Sequence, residues 1–116
     1  MPHYNENTNN ILALLQSFTL TNSDDVAMSL AADFRKRRIE KNLTRQKIAE
    51  QSGVSLGNIA RFEQKGLISL KHLIELAMTL GYVSEIKSVF SEPKYSTMEE
   101  LIQIRRNTGK KKATSK

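Results

Sequence analysis

Cysteine is absent from this 116-residue chain, so neither a disulfide nor a thiolate metal site can form. That fits a reducing cytoplasm. Proline occurs twice and glycine five times. Long alternating runs of β-branched residues are missing as well, which argues against a sheet and leaves an all-α fold. Aromatics make up 6% of the chain. Aliphatic residues are plentiful, as suits a small helical bundle. Only two histidines are present, His3 and His72, far apart and without a second ligand beside either. No metal or cofactor site is expected. The serines fall where helices start, and so do the paired carboxylates Asp24-Asp25 and Glu99-Glu100, where acids favour the helix dipole. Nothing is left over for catalysis, and the reading is of a non-enzyme. The apolar run Ile11–Leu15 is too short for a membrane span of roughly 20 residues. It also lacks the preceding basic stretch of a secretory leader.

What the chain does have is an uneven charge distribution. The total is +6, yet residues 1–104 hold twelve basic and twelve acidic side chains. The excess lies in the last twelve residues, with Arg105, Arg106, Lys110, Lys111, Lys112 and Lys116 and no acid. A second concentration is Arg35–Lys65, with nine basic and three acidic residues. Either can meet phosphates, although a lysine-rich tail also serves simply to keep a small protein soluble.

The length allows one domain with extensions. Residues 1–22 read as a polar N-terminal extension in which Asn9 or Asn10 caps a short helix over Ile11–Phe18. That helix packs either on its own domain or on a partner subunit. Residues 23–91 read as the domain itself. Its first helix starts at Ser23-Asp24-Asp25 and runs to about Lys41, with Val26, Ala27, Leu30, Ala31 and Phe34 as a buried stripe. Ser69 caps a helix over Leu70–Leu80 that Gly81 ends, and Leu73, Ile74, Leu76, Ala77 and Leu80 are its core candidates. A short fifth helix over Ser84–Phe90 supplies Ile86, Val89 and Phe90. Residues 92–116 hold a capping box at Thr97 and Glu100, a helix over Met98–Arg106, and a basic tail.

Between these lies the informative stretch, Leu43–Glu63, LTRQKIAEQSGVSLGNIARFE. Two short helical patterns flank a turn at Gly53. Thr44 caps the first and Ser55 the second, since each side-chain oxygen can accept from a free first-turn N–H. Leu43, Ile48, Ala49, Val54, Ile59 and Phe62 fall inward, while Ser55, Gly57, Asn58 and Arg61 stay outside. A helix-turn-helix has this pattern, its second helix offered to the DNA major groove.

Residues 30–81 resemble the lambda-repressor-like, Xre/Cro-type DNA-binding domain. Arg38, Leu43-Thr44, Ile48-Ala49-Glu50, Gly53-Val54-Ser55, Ile59, Phe62-Glu63 and Leu76-Ala77…Leu80-Gly81 carry the resemblance. It implies a five-helix bundle flanked by short helical extensions, binding a palindromic operator in double-stranded DNA as a homodimer. It also implies an ion pair between Arg38 and Glu63 that leaves guanidinium donors for a phosphate. Two unrelated surface charges are the plainer alternative. Further phosphate contacts are implied at Thr44, Arg45, Gln46 and Ser55, and base contacts at Leu56, Gly57, Asn58 and Arg61. Arg61 suits guanine and Asn58 adenine. A phosphate contact is the other reading of Arg61.

Two departures from the family pattern stand out. Leu56 and Gly57 occupy positions where glutamine, arginine or serine is usual. The exit after Glu63 is one residue longer, Gln64-Lys65-Gly66, which moves the phosphate role of that loop onto Gln64 or Lys65. The segment FEQKGLISLKHLIELAMTLG is succeeded by a short helix ending in phenylalanine, a proline, a capped acidic helix and a basic end. In this form the chain looks similar to HipB-like regulators encoded beside HipA-type kinase toxins. The likeness implies a cytoplasmic autorepressor and antitoxin that binds a HipA-like kinase toxin through Ile11–Phe18 and Tyr95–Arg106. A stand-alone regulator of phage or restriction–modification type is the alternative. So is a protein-interaction module with non-specific affinity for DNA.

Overall fold

The computed structural model describes Ile11 and residues 22–110. The expected helix over Ile11–Phe18, apart from Ile11 itself, and the end of the basic tail therefore lie outside the described residues. Among the described residues there are helices and no strands. The elements are α1 (Ser23–Glu40), α2 (Arg45–Ser52), α3 (Leu56–Lys65), α4 (Leu70–Leu80), α5 (Val83–Lys87) and α6 (Met98–Asn107). The chain divides into two units, Met1–Tyr82 and Val83–Lys116.

The helix starts in the first unit follow from side-chain oxygens. Thr44, Ser55 and Ser69 accept from the N–H groups of Lys47, Asn58 and His72 at 3.0, 3.2 and 3.1 Å. Helix α1 starts at Ser23 as expected, and its cap is Asn22, whose Oδ1 accepts from the Asp25 N–H at 2.8 Å. At the other ends, Gly53, Gly66 and Gly81 are left-handed, which costs a glycine least. Gly66 is further constrained by packing. A Cβ there would lie 3.1 Å from the Ala27 carbonyl carbon and 3.2 Å from the Ala27 Cβ, so the end of α3 rests directly on α1.

The core of this unit is Ala31, Phe34, Ile48, Val54, Ile59, Phe62, Leu76 and Leu80, with Leu43, Ala49, Ile68, Leu73 and Tyr82 packed against it. Helix α1 packs on α3, and α2 packs on both α3 and α4. Phe34 and Phe62 meet across the α1–α3 contact with ring centroids 5.3 Å apart. The Lys41 ammonium donates to the Leu80 carbonyl at 3.2 Å, tying the end of α1 to the end of α4.

One expected stripe is turned. Ala31, Phe34 and Arg38 are the buried residues of α1, while Val26 and Leu30 remain exposed. The small side chains of Ala27 and Ala31 let α3 and Gly66 come close, and that selects their side of the helix.

In the second unit α5 is shorter than the expected Ser84–Phe90. Phe90 is 95% exposed and Val89 is exposed too, so neither joins a core. The Ser88 and Ser91 hydroxyls donate to the carbonyls of Glu85 and Ser88 at 3.0 and 3.1 Å. Such local bonds compete with helix propagation, and the stripe ends before it reaches Phe90. Helix α6 starts at Thr97, whose Oγ1 accepts from the Glu100 N–H at 3.1 Å. The returning bond of the expected capping box lands one residue early: Glu100 accepts from the Ser96 N–H at 3.2 Å.

Candidate nucleic-acid interface

The Glu63 carboxylate, on the inner side of α3, is 1% exposed, and guanidinium groups surround it. Arg38 of α1, 9% exposed, donates Nε and Nη2 to its two oxygens at 2.7 and 3.0 Å. A bidentate fork of this kind fixes both distance and angle. The third Arg38 nitrogen, Nη1, donates to the Leu43 carbonyl at 2.7 Å, just before α2. Arg45, the first residue of α2, donates Nε to Glu63 Oε1 at 3.0 Å. Arg35 approaches the same oxygen at 4.0 Å. One carboxylate thus braces α1, α2 and α3 against one another.

Burial alone would raise the Glu63 carboxyl. Hydrogen bonds from Arg38 and Arg45, together with their charges, outweigh that penalty and hold it below its ordinary 4.5. The site remains cationic, because one carboxylate faces three guanidinium groups. Arg35 and Arg45 keep 59% and 34% of their side chains in solvent.

The residues singled out from sequence divide into three groups. Arg38 and Glu63 are brought together as the ion pair, with every Arg38 nitrogen on a protein acceptor. Thr44 and Gln46 are exposed and Arg45 half-buried at the start of α2. The Gln46 amide donates to Glu50 at 3.5 Å. On α3, Ser55, Leu56, Gly57 and Arg61 are exposed and Asn58 is half-buried. Gln64 and Lys65, expected in an exit loop, are exposed on the last turn of α3, because the helix continues to Lys65 before Gly66 caps it.

At about 100° per residue, the buried Ile59, Phe62 and Glu63 centre on one side of α3, which puts Gly57, Arg61 and Gln64 on the opposite side. That outer face projects from a helix whose inner face is fixed. Two contacts escaped the sequence reading: the bond from Arg45 to Glu63, and the approach of Arg35. Eighteen and twenty-eight residues separate these arginines from Glu63, and turns break the chain in between, so no single-helix periodicity relates them.

Residues 34–86 match the family model described as Helix-turn-helix. The chain carries an Xre-like helix-turn-helix domain. Within it, α2 and α3 are the two motif helices, joined through Gly53. The match begins at Phe34, inside α1, and ends at Ile86, inside α5. A helix-turn-helix domain at residues 34–86 suggests a DNA-binding regulator. No curated protein and no solved structure matches it. Among the described residues, no helix is long and apolar enough to cross a membrane.

Proposed function

We propose that the chain is a sequence-specific transcriptional repressor that binds a palindromic operator as a homodimer, α3 of each copy lying in the major groove. The observation that carries this reading is the brace at Glu63. It fixes the pose of α3 while leaving Leu56, Gly57, Arg61 and Gln64 in solvent. A groove-reading helix needs both features. In the dimer, the two α3 helices meet half-sites about one DNA turn apart, on the order of 34 Å.

Arg61 reads guanine and Asn58 adenine in this scheme. Thr44, Arg45, Gln46 and Ser55 face phosphates at two helix N-termini, where first-turn N–H groups lack intrahelical partners. Gln64 and Lys65 extend that contact along the last turn of α3. Arg38 acts as the brace, and the partly free guanidinium of Arg45 takes the phosphate role expected of it. Fluorescence anisotropy on the intergenic DNA upstream of the gene tests the assignment. Arg61→Ala is expected to weaken specific binding by about 1–3 kcal/mol and to relax the choice at one base pair. Equal binding by both proteins at moderate salt contradicts the assignment.

An antitoxin role extends this proposal. It is supported by the likeness of residues 62–81 to HipB-like regulators and by the capped, basic-ended α6. It predicts that a kinase-like protein encoded beside this gene co-purifies with the full chain. Failure to form that complex leaves a stand-alone regulator.

A further inference from the structure

Gly57 has no explanation inside the protein. Its φ lies outside the left-handed region that Gly53, Gly66, Gly81 and Gly109 occupy, so the backbone does not call for glycine. A Cβ placed there meets nothing within 4 Å, so packing does not call for it either. Glycine nevertheless weakens a helix relative to alanine. Its neighbour Leu56, 44% exposed, keeps part of an apolar side chain in solvent. The bare position and the part-exposed leucine are adjacent on the first turn of α3, and Arg61 lies one turn further along from Gly57.

We propose that Leu56 and the gap at Gly57 form a slot for the C5 methyl group of one thymine in each half-site. The inference rests on the DNA-binding reading and extends it to base identity. In the major groove thymine presents one acceptor, O4, and one methyl group, and a methyl is recognised by apolar contact. Leu56 offers that contact. Gly57 supplies the room for it, because a missing Cβ lets the helix backbone approach the base edge. A polar residue at these positions would read hydrogen-bonding groups; this pair reads shape.

The test uses the full chain and duplexes that it selects from a random pool. Each thymine of the best duplex is then replaced singly by deoxyuridine, which removes the methyl and nothing else. One thymine per half-site is expected to matter, its replacement weakening binding roughly fourfold, as burial of one methyl group implies. Leu56→Ala loses a similar factor on the thymine duplex and none on the deoxyuridine duplex. Gly57→Ala binds the thymine duplex about tenfold more weakly, because the slot is overfilled, and recovers most of that loss on the deoxyuridine duplex. Its melting temperature rises, as for a glycine that folding does not need. A selected duplex indifferent to every thymine methyl overturns the slot while leaving DNA binding intact. So does a Gly57→Ala protein equally weakened on both duplexes, which would place the close approach at the sugar–phosphate backbone. Failure to select any duplex removes the DNA-binding reading and the slot together.

Discussion

Glu63→Gln is expected to lower the free energy of unfolding by about 3–5 kcal/mol, because it leaves the buried Arg38 guanidinium without its counter-charge. A small domain has in all only about 5–15 kcal/mol. The variant is therefore partly unfolded at modest urea concentrations where the natural chain is intact. Glutamine keeps the size of the side chain and one acceptor, so lost packing does not confound the result. Arg45→Gln provides the contrast. Its side chain is a third exposed, and solvent screening limits the cost to about 1 kcal/mol or less. Urea titration followed by circular dichroism at pH 7 measures both. A loss below about 0.5 kcal/mol for Glu63→Gln would show that the brace is not what holds α3.

The same carboxyl gives a pH signature. Its value in the folded chain lies below the ordinary 4.5, so the unfolded chain binds more protons between the two values. The contribution of Glu63 to stability is accordingly complete above about 4.5 and disappears as pH falls through the lower, folded value. The natural chain is expected to lose stability in that window. Glu63→Gln, with nothing to titrate there, loses less over the same range.

Phe62→Ala is the second large effect expected. Phe62 is fully buried and packs on Phe34 between α1 and α3. Truncating such a ring costs about 3–5 kcal/mol. Few other residues are available to collapse into the space, since the core has eight buried apolar members among the described residues. Thermal melting is expected to show a lowered, broadened transition. Phe62→Leu retains most of the volume and loses less. Should the alanine and leucine variants melt together near the natural chain, the α1–α3 contact would not be the centre of this core.

Much of the fold is legible in the sequence because short-range chemistry decides it. Thr44, Ser55 and Ser69 cap as their positions next to apolar-periodic runs require, and Gly53, Gly66 and Gly81 end helices in the left-handed region. The Arg38–Glu63 pair is visible through its resemblance to a familiar motif. Long-range geometry is less legible. Periodicity places Val26 and Leu30 on the same stripe as Ala31 and Phe34, but the close seat of Gly66 on Ala27 selects the side with the smaller residues. Hydropathy likewise assigns Phe90 to a core, where serine hydroxyls bonded to nearby carbonyls stop the helix first. The second arginine on Glu63 emerges only once α2 has been folded against α3.

The separation of the two sides of α3 also bears on how such a chain can change. Ile59, Phe62 and Glu63 tie the helix down, and Leu56, Gly57, Arg61 and Gln64 take no part in that. Substitutions on the solvent side therefore carry little folding penalty. A lineage can thus drift from one target sequence to another without passing through unfolded intermediates. For the same reason a designer can rewrite the outer side of α3 while leaving its anchorage untouched.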